Sequence, residues 1–346
     1  MHRNYLIAFS IAGGTSLILT PLIRRLSLKM GWLDRPNWRK INKRPMPILG
    51  GVAIFLGFLF TILFFAFRQP FAKDAYRLFG VLLGSLIIVF AGVVDDIKGI
   101  TALKKLFFQI AAAVTVCLFG FTIIKVSGPL GGSFHLPEIG SFALTVFWIV
   151  GFTNAVNLLD GLDGLSSGVV AIISACLFFA AFKIQSPVMA LLAIAICGSA
   201  LGFLPYNFYP AKIFMGDSGS LLLGFILSII AIQGAYKGAT FISVLVPVIA
   251  MAIPVIDTAL AIIRRALAGK GIMKADKDHI HHRLLIREGS QKKAVLTLYG
   301  LTLSFGLIAV ALSGMEGIWA GSAILVTVLL TLRWLKNSKL LDFERE

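Results

Sequence analysis

Charged residues are scarce in this chain. Asp, Glu, Lys and Arg make up 14% of its 346 residues, where a soluble domain carries about 25%. That shortfall excludes an ordinary water-soluble surface. Acidic residues are scarcer still, 16 against 32 Lys and Arg. Cysteine is nearly missing: Cys117, Cys176 and Cys197 each sit inside an apolar run. They offer neither a disulfide framework nor zinc-site spacing and read as small buried hydrophobes. There is no Pro- or Ser-rich linker, no long hydrophilic block and no evident internal repeat. The expectation is one membrane domain, residues 1–346, without a soluble appendage.

What is present is apolar sequence, 58% of the chain, gathered in runs of roughly 17 to 24 residues, long enough to cross about 30 Å of hydrocarbon as helix. The length criterion gives about eleven spans, at 5–24, 48–67, 78–94, 106–124, 141–158, 165–182, 187–205, 219–236, 240–263, 295–313 and 316–333. The expected fold is an all-α polytopic bundle of about 10 or 11 transmembrane helices. The connections near 159–164 and 206–218 are short enough for the chain to re-enter there. The first apolar run is long and is followed by a basic cluster, so it reads as a first span and not a cleavable signal.

The net charge of +16 would suggest nucleic acid in a soluble protein. Here the positions of the charges give another answer. With the N-terminus outside, all Lys and Arg fall in inner loops or the tail except Arg3, Arg68, Lys73, Arg77, Lys125, Lys183 and Lys237. That split sets the orientation and attracts anionic headgroups and anionic substrates. The bilayer is the partner it calls for, and nucleic acid is not.

The few carboxylates are placed tellingly. Asp95 and Asp96 close the third span, Asp160 and Asp163 follow the fifth, Asp217 precedes the eighth, and Asp257 lies near the inner end of the ninth. All six fall toward the inner side. Carboxylates near hydrocarbon are costly and repel one another, so such a cluster calls for a cation or a cationic partner to offset it. Oxygen-only ligands favour magnesium or manganese over zinc.

In NAVNLLDGLDGLSSG, residues 154–168, Asn154, Asn157, Asp160 and Asp163 recur every three residues, a spacing that keeps neighbours near one helix face. In AGVVDDIKG, residues 91–99, adjacent carboxylates diverge by about 100° on a helix, so Asp95 and Asp96 are expected to play different parts. In YNFYPAKIFMGDSGSLLLG, residues 206–224, Pro210 and Gly216 mark a turn, and Asp217 and Ser218 resemble N-cap residues at a helix start suited to phosphate. DKDHIHHRLL, residues 276–285, packs His279, His281 and His282 beside Arg283. Donors to phosphate oxygens, metal ligands and a solvated loop are the readings open to it. The basic first inner loop, DRPNWRKINKRPMPILGG at 34–51, is ordinary inner-loop sequence with a shaped Pro/Gly entry to the second span.

Taken in chain order, the DD pair, NAVNLLDGLDG and FMGDSGS make the chain resemble the polyprenyl-phosphate N-acetylhexosamine-1-phosphate transferases, glycosyltransferase family 4. The resemblance covers roughly 34–285. It implies a ten- or eleven-helix bundle with a cytoplasmic active site and a Mg²⁺ requirement, Mn²⁺ being a substitute. By position, Asp217 matches the family's metal ligand, with Asp160 assisting. Asp95 and Asp96 match its essential pair, and Asn157, Asp160 and Asp163 its nucleotide and metal region. Asn207 and Phe214 match positions that hold uridine, and Lys105 a basic position of the site. His279, His281, His282 and Arg283 look like the sugar-nucleotide loop of the GlcNAc-1-phosphate branch. One departure is Asn42, where that branch commonly has His.

The resemblance implies transfer of GlcNAc-1-phosphate from UDP-GlcNAc to undecaprenyl phosphate. That would be the first membrane step of a cell-envelope polysaccharide such as a teichoic acid linkage unit, O-antigen or common antigen. Asp95 would keep the lipid phosphate deprotonated or orient it. One-step transfer and a covalent aspartyl-phosphate route are both open. The alternative donor is UDP-MurNAc-pentapeptide. A cation transporter is the rival of another class, disfavoured because its charges would sit near the midplane of repeated halves. The oligomeric state is left open, with a homodimer as one option.

Overall fold

The computed structural model describes residues 2–36, 44–127, 133–237, 248–267 and 280–313, with isolated positions 322, 326 and 333. Eleven helices are numbered here in chain order: α1 His2–Met30, α2 Gly50–Ala66, α3 Ala75–Lys98, α4 Ala102–Leu118, α5 Glu138–Leu159, α6 Leu165–Lys183, α7 Pro187–Asn207, α8 Asp217–Lys237, α9 Ala252–Leu267, α10 Ile280–Glu288 and α11 Gln291–Leu312. Two short antiparallel ladders join them, β1 (Leu33–Asp34) with β2 (Met46–Pro47) and β3 (Lys125–Ser127) with β4 (Ser133–His135).

Among the described residues six helices are long and apolar enough to cross a membrane: α1, Phe71–Lys98 containing α3, α5, α6, α7 and α11. The shorter apolar helices are α2 and the Asp217–Gln233 part of α8. The chain is a multi-pass membrane protein. One expected span differs from what is observed, and two fall partly or almost wholly outside the described residues. The span at 106–124 is cut short, because α4 ends at Leu118 and the chain turns at Gly120, whose φ is 87°, into the β3–β4 hairpin. The span at 240–263 is partly outside the described residues, and its visible helix, α9, runs from 252 to 267. The span at 316–333 lies almost wholly outside them.

Lipid is as apolar as Leu, so helices in a bilayer associate by close packing more than by water exclusion. Glycine provides that approach here. On α1, Gly13 meets the Gly198 carbonyl of α7, and the carbonyl of Ala12 leaves no room for a Cβ on Gly57 of α2. Hydroxyls inside the helices, such as Thr61, Ser85 and Thr153, donate to their own i−4 carbonyls and so carry no free donor into lipid. Exposed Phe90, Phe107 and Phe147 face outward.

At the centre stands α8. From Leu221 to Ile232 its apolar side chains are all buried, walled by α2, α3, α5, α6 and α7. Its first turn is gripped most closely. Gly51 of α2 lies against the Gly219 backbone, and Gly92 of α3 against Ser218, with no space for a Cβ at either glycine. The 208–216 connection leaves the helical path and is pinned to the entry of α2: Phe214 N–H donates to the Pro47 carbonyl (2.9 Å), and Gly50 N–H to the Phe214 carbonyl (3.0 Å).

Candidate active site

At one end of the bundle α3, α5 and α7 terminate while α4, α6 and α8 begin. That end gathers Asp95, Asp96, Lys105, Asn157, Asp160, Asp163 and Asp217. The organising residue is Asp217, the first of α8. Its Oδ1 accepts Asn157 Nδ2 at 3.2 Å, and its Oδ2 pairs with the Lys105 ammonium at 2.5 Å. Lys105 also bonds Asp95 Oδ2 at 2.9 Å, while Asp95 Oδ1 accepts the Ile100 N–H at 2.8 Å. Asn157 is fixed by a second bond to Ser220 Oγ, 2.8 Å. One ammonium therefore joins two carboxylates whose helices lie far apart in sequence.

The DD pair divides as the helical geometry suggests. Asp95 faces Lys105. Asp96 accepts the N–H groups of Asp217 (2.8 Å) and Ser218 (3.1 Å) and so caps α8 from another helix. The N-cap expected of Asp217 and Ser218 is thus corrected. Asp217 lies inside the helix, where its side chain is left for Lys105 and Asn157, and the capping carboxylate comes from α3. Gly216, at φ 71°, takes a conformation suited to glycine, and any Cβ there would strike the Asp96 carboxylate. With both oxygens engaged by α8, Asp96 holds Asp217 in place.

The Asn/Asp series also divides. Asn154 forms a reciprocal amide pair with Gln109 of α4, at 2.8 and 3.2 Å. Asp163 turns away to accept Ala211 N–H at 3.0 Å and a bond from Gln291, and burial raises its pKa against those two bonds. Asp160 differs from both: its half-buried carboxyl accepts no hydrogen bond from the described residues. Burial, then the nearby Asp217, Asp96 and Asp163 carboxylates, push its pKa up to about 8.

Asn207 is buried, its Oδ1 accepting Ser167 Oγ (2.9 Å) and its Nδ2 donating to the Ile213 carbonyl (3.2 Å). Both ends of its amide are engaged within the protein, one by α6 and one by the 208–216 loop. Phe214 in that loop is half-buried. His281 is buried, its Nδ1 3.8 Å from Asp257 Oδ2 and its Nε2 against Gly161. Arg283 sits half-buried on α10. His279, the His282 side chain and Asn42 lie outside the described residues. Asp257 meets the site through the histidine segment, whose His281 rests on Gly161 beside Asp160.

Three residues that the sequence pattern did not single out support the site. Gln109 lies four residues after Lys105 on α4, and a lone amide in an apolar run was the available signal. Ser220 anchors Asn157. Tyr299 of α11 donates to the Gly164 carbonyl at 2.5 Å, clamping the 160–164 turn, and nothing in its sequence surroundings marks it.

Among the described residues no three His, Cys, Asp or Glu side chains converge as a metal cage. Zinc would want such a cage. Magnesium binds through one or two carboxylates and keeps water or substrate oxygens for its other positions, and Asp217 with Asp160, whose carboxyl accepts no hydrogen bond from the described residues, fits that need. Carboxylates, an ammonium and a helix start at the end of apolar helices suit the handling of phosphate groups at a membrane surface.

Comparison with known proteins agrees. Residues 78–235 match the family model for glycosyl transferase family 4. A probable undecaprenyl-phosphate N-acetylglucosaminyl 1-phosphate transferase of Bacillus subtilis is 37% identical over 94% of this chain and 89% of its own length. A decaprenyl-phosphate N-acetylglucosaminephosphotransferase of Mycolicibacterium smegmatis is 33% identical over 93% and 87%. A phospho-N-acetylmuramoyl-pentapeptide-transferase of Staphylococcus haemolyticus is 32% identical over 88% and 94%. From matching helices, matching motifs and these near full-length relatives, the chain belongs to glycosyl transferase family 4, the polyprenyl-phosphate N-acetylhexosamine-1-phosphate transferases.

Proposed function

We propose that this protein transfers GlcNAc-1-phosphate from UDP-GlcNAc to undecaprenyl phosphate at the cytoplasmic face, with Mg²⁺ as cofactor. The observation that carries the reading is the Asp95–Lys105–Asp217 bridge, set beside the open carboxyl of Asp160 at the end of an apolar bundle. The B. subtilis relative, described as a probable undecaprenyl-phosphate N-acetylglucosaminyl 1-phosphate transferase, supports the choice of sugar and lipid. The excess of Lys and Arg in the loops on this side supports the cytoplasmic face.

The reaction brings two polyanionic phosphates together. A lipid phosphate oxygen forms a bond to the β-phosphorus of the UDP-sugar, the bond from that phosphorus to the bridging oxygen breaks, and UMP leaves. Lys105 supplies a charge-assisted donor to phosphate oxygens, and Asp95 orients it. Asp217 and Asp160 would hold Mg²⁺, which when bound screens the charge of the pyrophosphate. Asn157 keeps the Asp217 carboxylate in register. Phe214 offers a ring for the base and Arg283 a donor for the sugar nucleotide, while the buried His281 acts through the Gly161 turn.

Purified protein, undecaprenyl phosphate and a panel of UDP-sugars, with UMP release followed, test the reading. UDP-GlcNAc should be preferred, and no UMP from any UDP-sugar would overturn it. The S. haemolyticus relative makes UDP-MurNAc-pentapeptide the second donor to include. Preference for it would move the chain to that branch.

A further inference from the structure

Asp257 is a buried carboxylate of α9 with no place in the scheme above. It does two things at once. Its Oδ1 accepts the backbone N–H of Ile280 at 2.8 Å, the first residue of α10. Its Oδ2 lies 3.8 Å from Nδ1 of His281, the next residue. Both side chains are almost fully buried, Asp257 at 1% and His281 at 2% exposure. The far nitrogen, Nε2, rests on Gly161, in the turn that carries Asp160, so closely that a Cβ on Gly161 would overlap it. The arrangement repeats that at α8, where Asp96 of α3 caps the helix that presents Asp217.

We propose that Asp257 is a positioning residue for the transfer reaction, fixing the first turn of α10 and the His281 ring so that Nε2 meets the Asp160–Gly161 turn. At 3.8 Å the Asp257 carboxylate acts on Nδ1 through its charge and not through a hydrogen bond, favouring the ring orientation that directs the other nitrogen at the turn. Ile280 N–H locks the backbone, so the ring has little freedom left. Gly161 completes the device: only a residue without a side chain lets the ring reach the turn. The inference rests on the proposed function for its chemistry but not for its geometry.

Because Asn keeps an acceptor for Ile280 N–H, Asp257→Asn removes the charge facing His281 and leaves the helix start capped. In the full-length protein with UDP-GlcNAc and undecaprenyl phosphate, Asp257→Asn, His281→Ala and Gly161→Ala should each lower kcat/KM for the UDP-sugar by about ten- to a hundredfold. The KM for the lipid phosphate should change little. The Asp257→Asn/His281→Ala double variant should be no worse than His281→Ala alone, since the carboxylate acts through the ring. Multiplying losses in the double variant would overturn the proposal, as would a silent His281→Ala. Thermal midpoints of the same four proteins give a readout that needs no activity. The Asp257 and His281 substitutions should be non-additive there too, and strict additivity would count against the contact. If the wild type releases no UMP from any UDP-sugar, the functional reading fails while the midpoint cycle still decides the contact.

Discussion

Asp96→Asn separates a structural carboxylate from a chemical one. The Asp96 oxygens accept the N–H groups of Asp217 and Ser218 at 2.8 and 3.1 Å. Asn presents one oxygen and one NH₂, so one N–H keeps an acceptor and the other faces a donor. Loss of a hydrogen bond to a charged acceptor costs about 1.5–3 kcal/mol, and loss of a negative charge at a helix start about 0.3–1 kcal/mol. Gly216 packs against the carboxylate, so the amide has little room to turn away. Together about 2–4 kcal/mol falls on the first turn of α8, the turn that presents Asp217. If all of it is felt by the competent state, turnover drops by at most about thirty- to nearly a thousandfold. Hydrogen exchange followed by mass spectrometry on a peptide spanning 214–222 reads the cause directly. Exchange there should quicken in Asp96→Asn and stay at the wild-type level in Asp95→Asn, whose partners are Lys105 and Ile100. Lost turnover with unchanged exchange would refute the reasoning and make Asp96 a group that acts on substrate.

Four further outcomes are expected. Asp217→Asn should reduce UMP release by several orders of magnitude with the thermal midpoint near wild type, and a normal kcat would place the cation elsewhere. Exhaustive EDTA should abolish turnover and Mg²⁺ or Mn²⁺ restore it, so activity surviving chelation would remove the cation from the reading. Gln109→Leu alone should destabilise the protein by about 1–3 kcal/mol by stranding Asn154, and Gln109→Leu/Asn154→Leu should recover most of that in thermal unfolding. A cysteine replacing exposed Lys98 should react with a membrane-impermeant thiol reagent only once the cytoplasmic face is opened, and one replacing Glu138 without opening it. The reverse pattern would invert the orientation.

Helices were legible in the sequence wherever an apolar run was long and uninterrupted, as at α1, α5, α6 and α7, because length against bilayer thickness needs no partner to be read. The region of α4 was harder. Apolar residues continue past Leu118 into Phe121, Ile123 and Ile124, and only the backbone turn at Gly120 shows that they belong to the connection leading into the β3–β4 hairpin. At the site, residue types and their gathering at one end could be read, but pairings could not. Asp96 and Asp217 lie 121 residues apart, and a local motif gives no hint that one caps the helix of the other. A spacing of three likewise suggests a shared face for Asn154, Asn157, Asp160 and Asp163, yet says nothing of where each is satisfied. Gln109, Ser220, Ala211 and Gln291 come from four other segments.

The enclosure of α8 bears on how the protein is assembled. Among the described residues the helices that chiefly wall it, α2, α3, α5, α6 and α7, all lie earlier in the chain. Synthesis from the N-terminus therefore completes the socket before its occupant leaves the ribosome. Asp96, Lys105 and Asn157 are in the membrane first, and Asp217 is delivered to them last, as a key to a finished lock. A chain stopped after Asn207 should accordingly remain a membrane-inserted, protease-resistant bundle that turns nothing over. Rapid degradation of that fragment would show instead that α8 is needed to hold its own walls together.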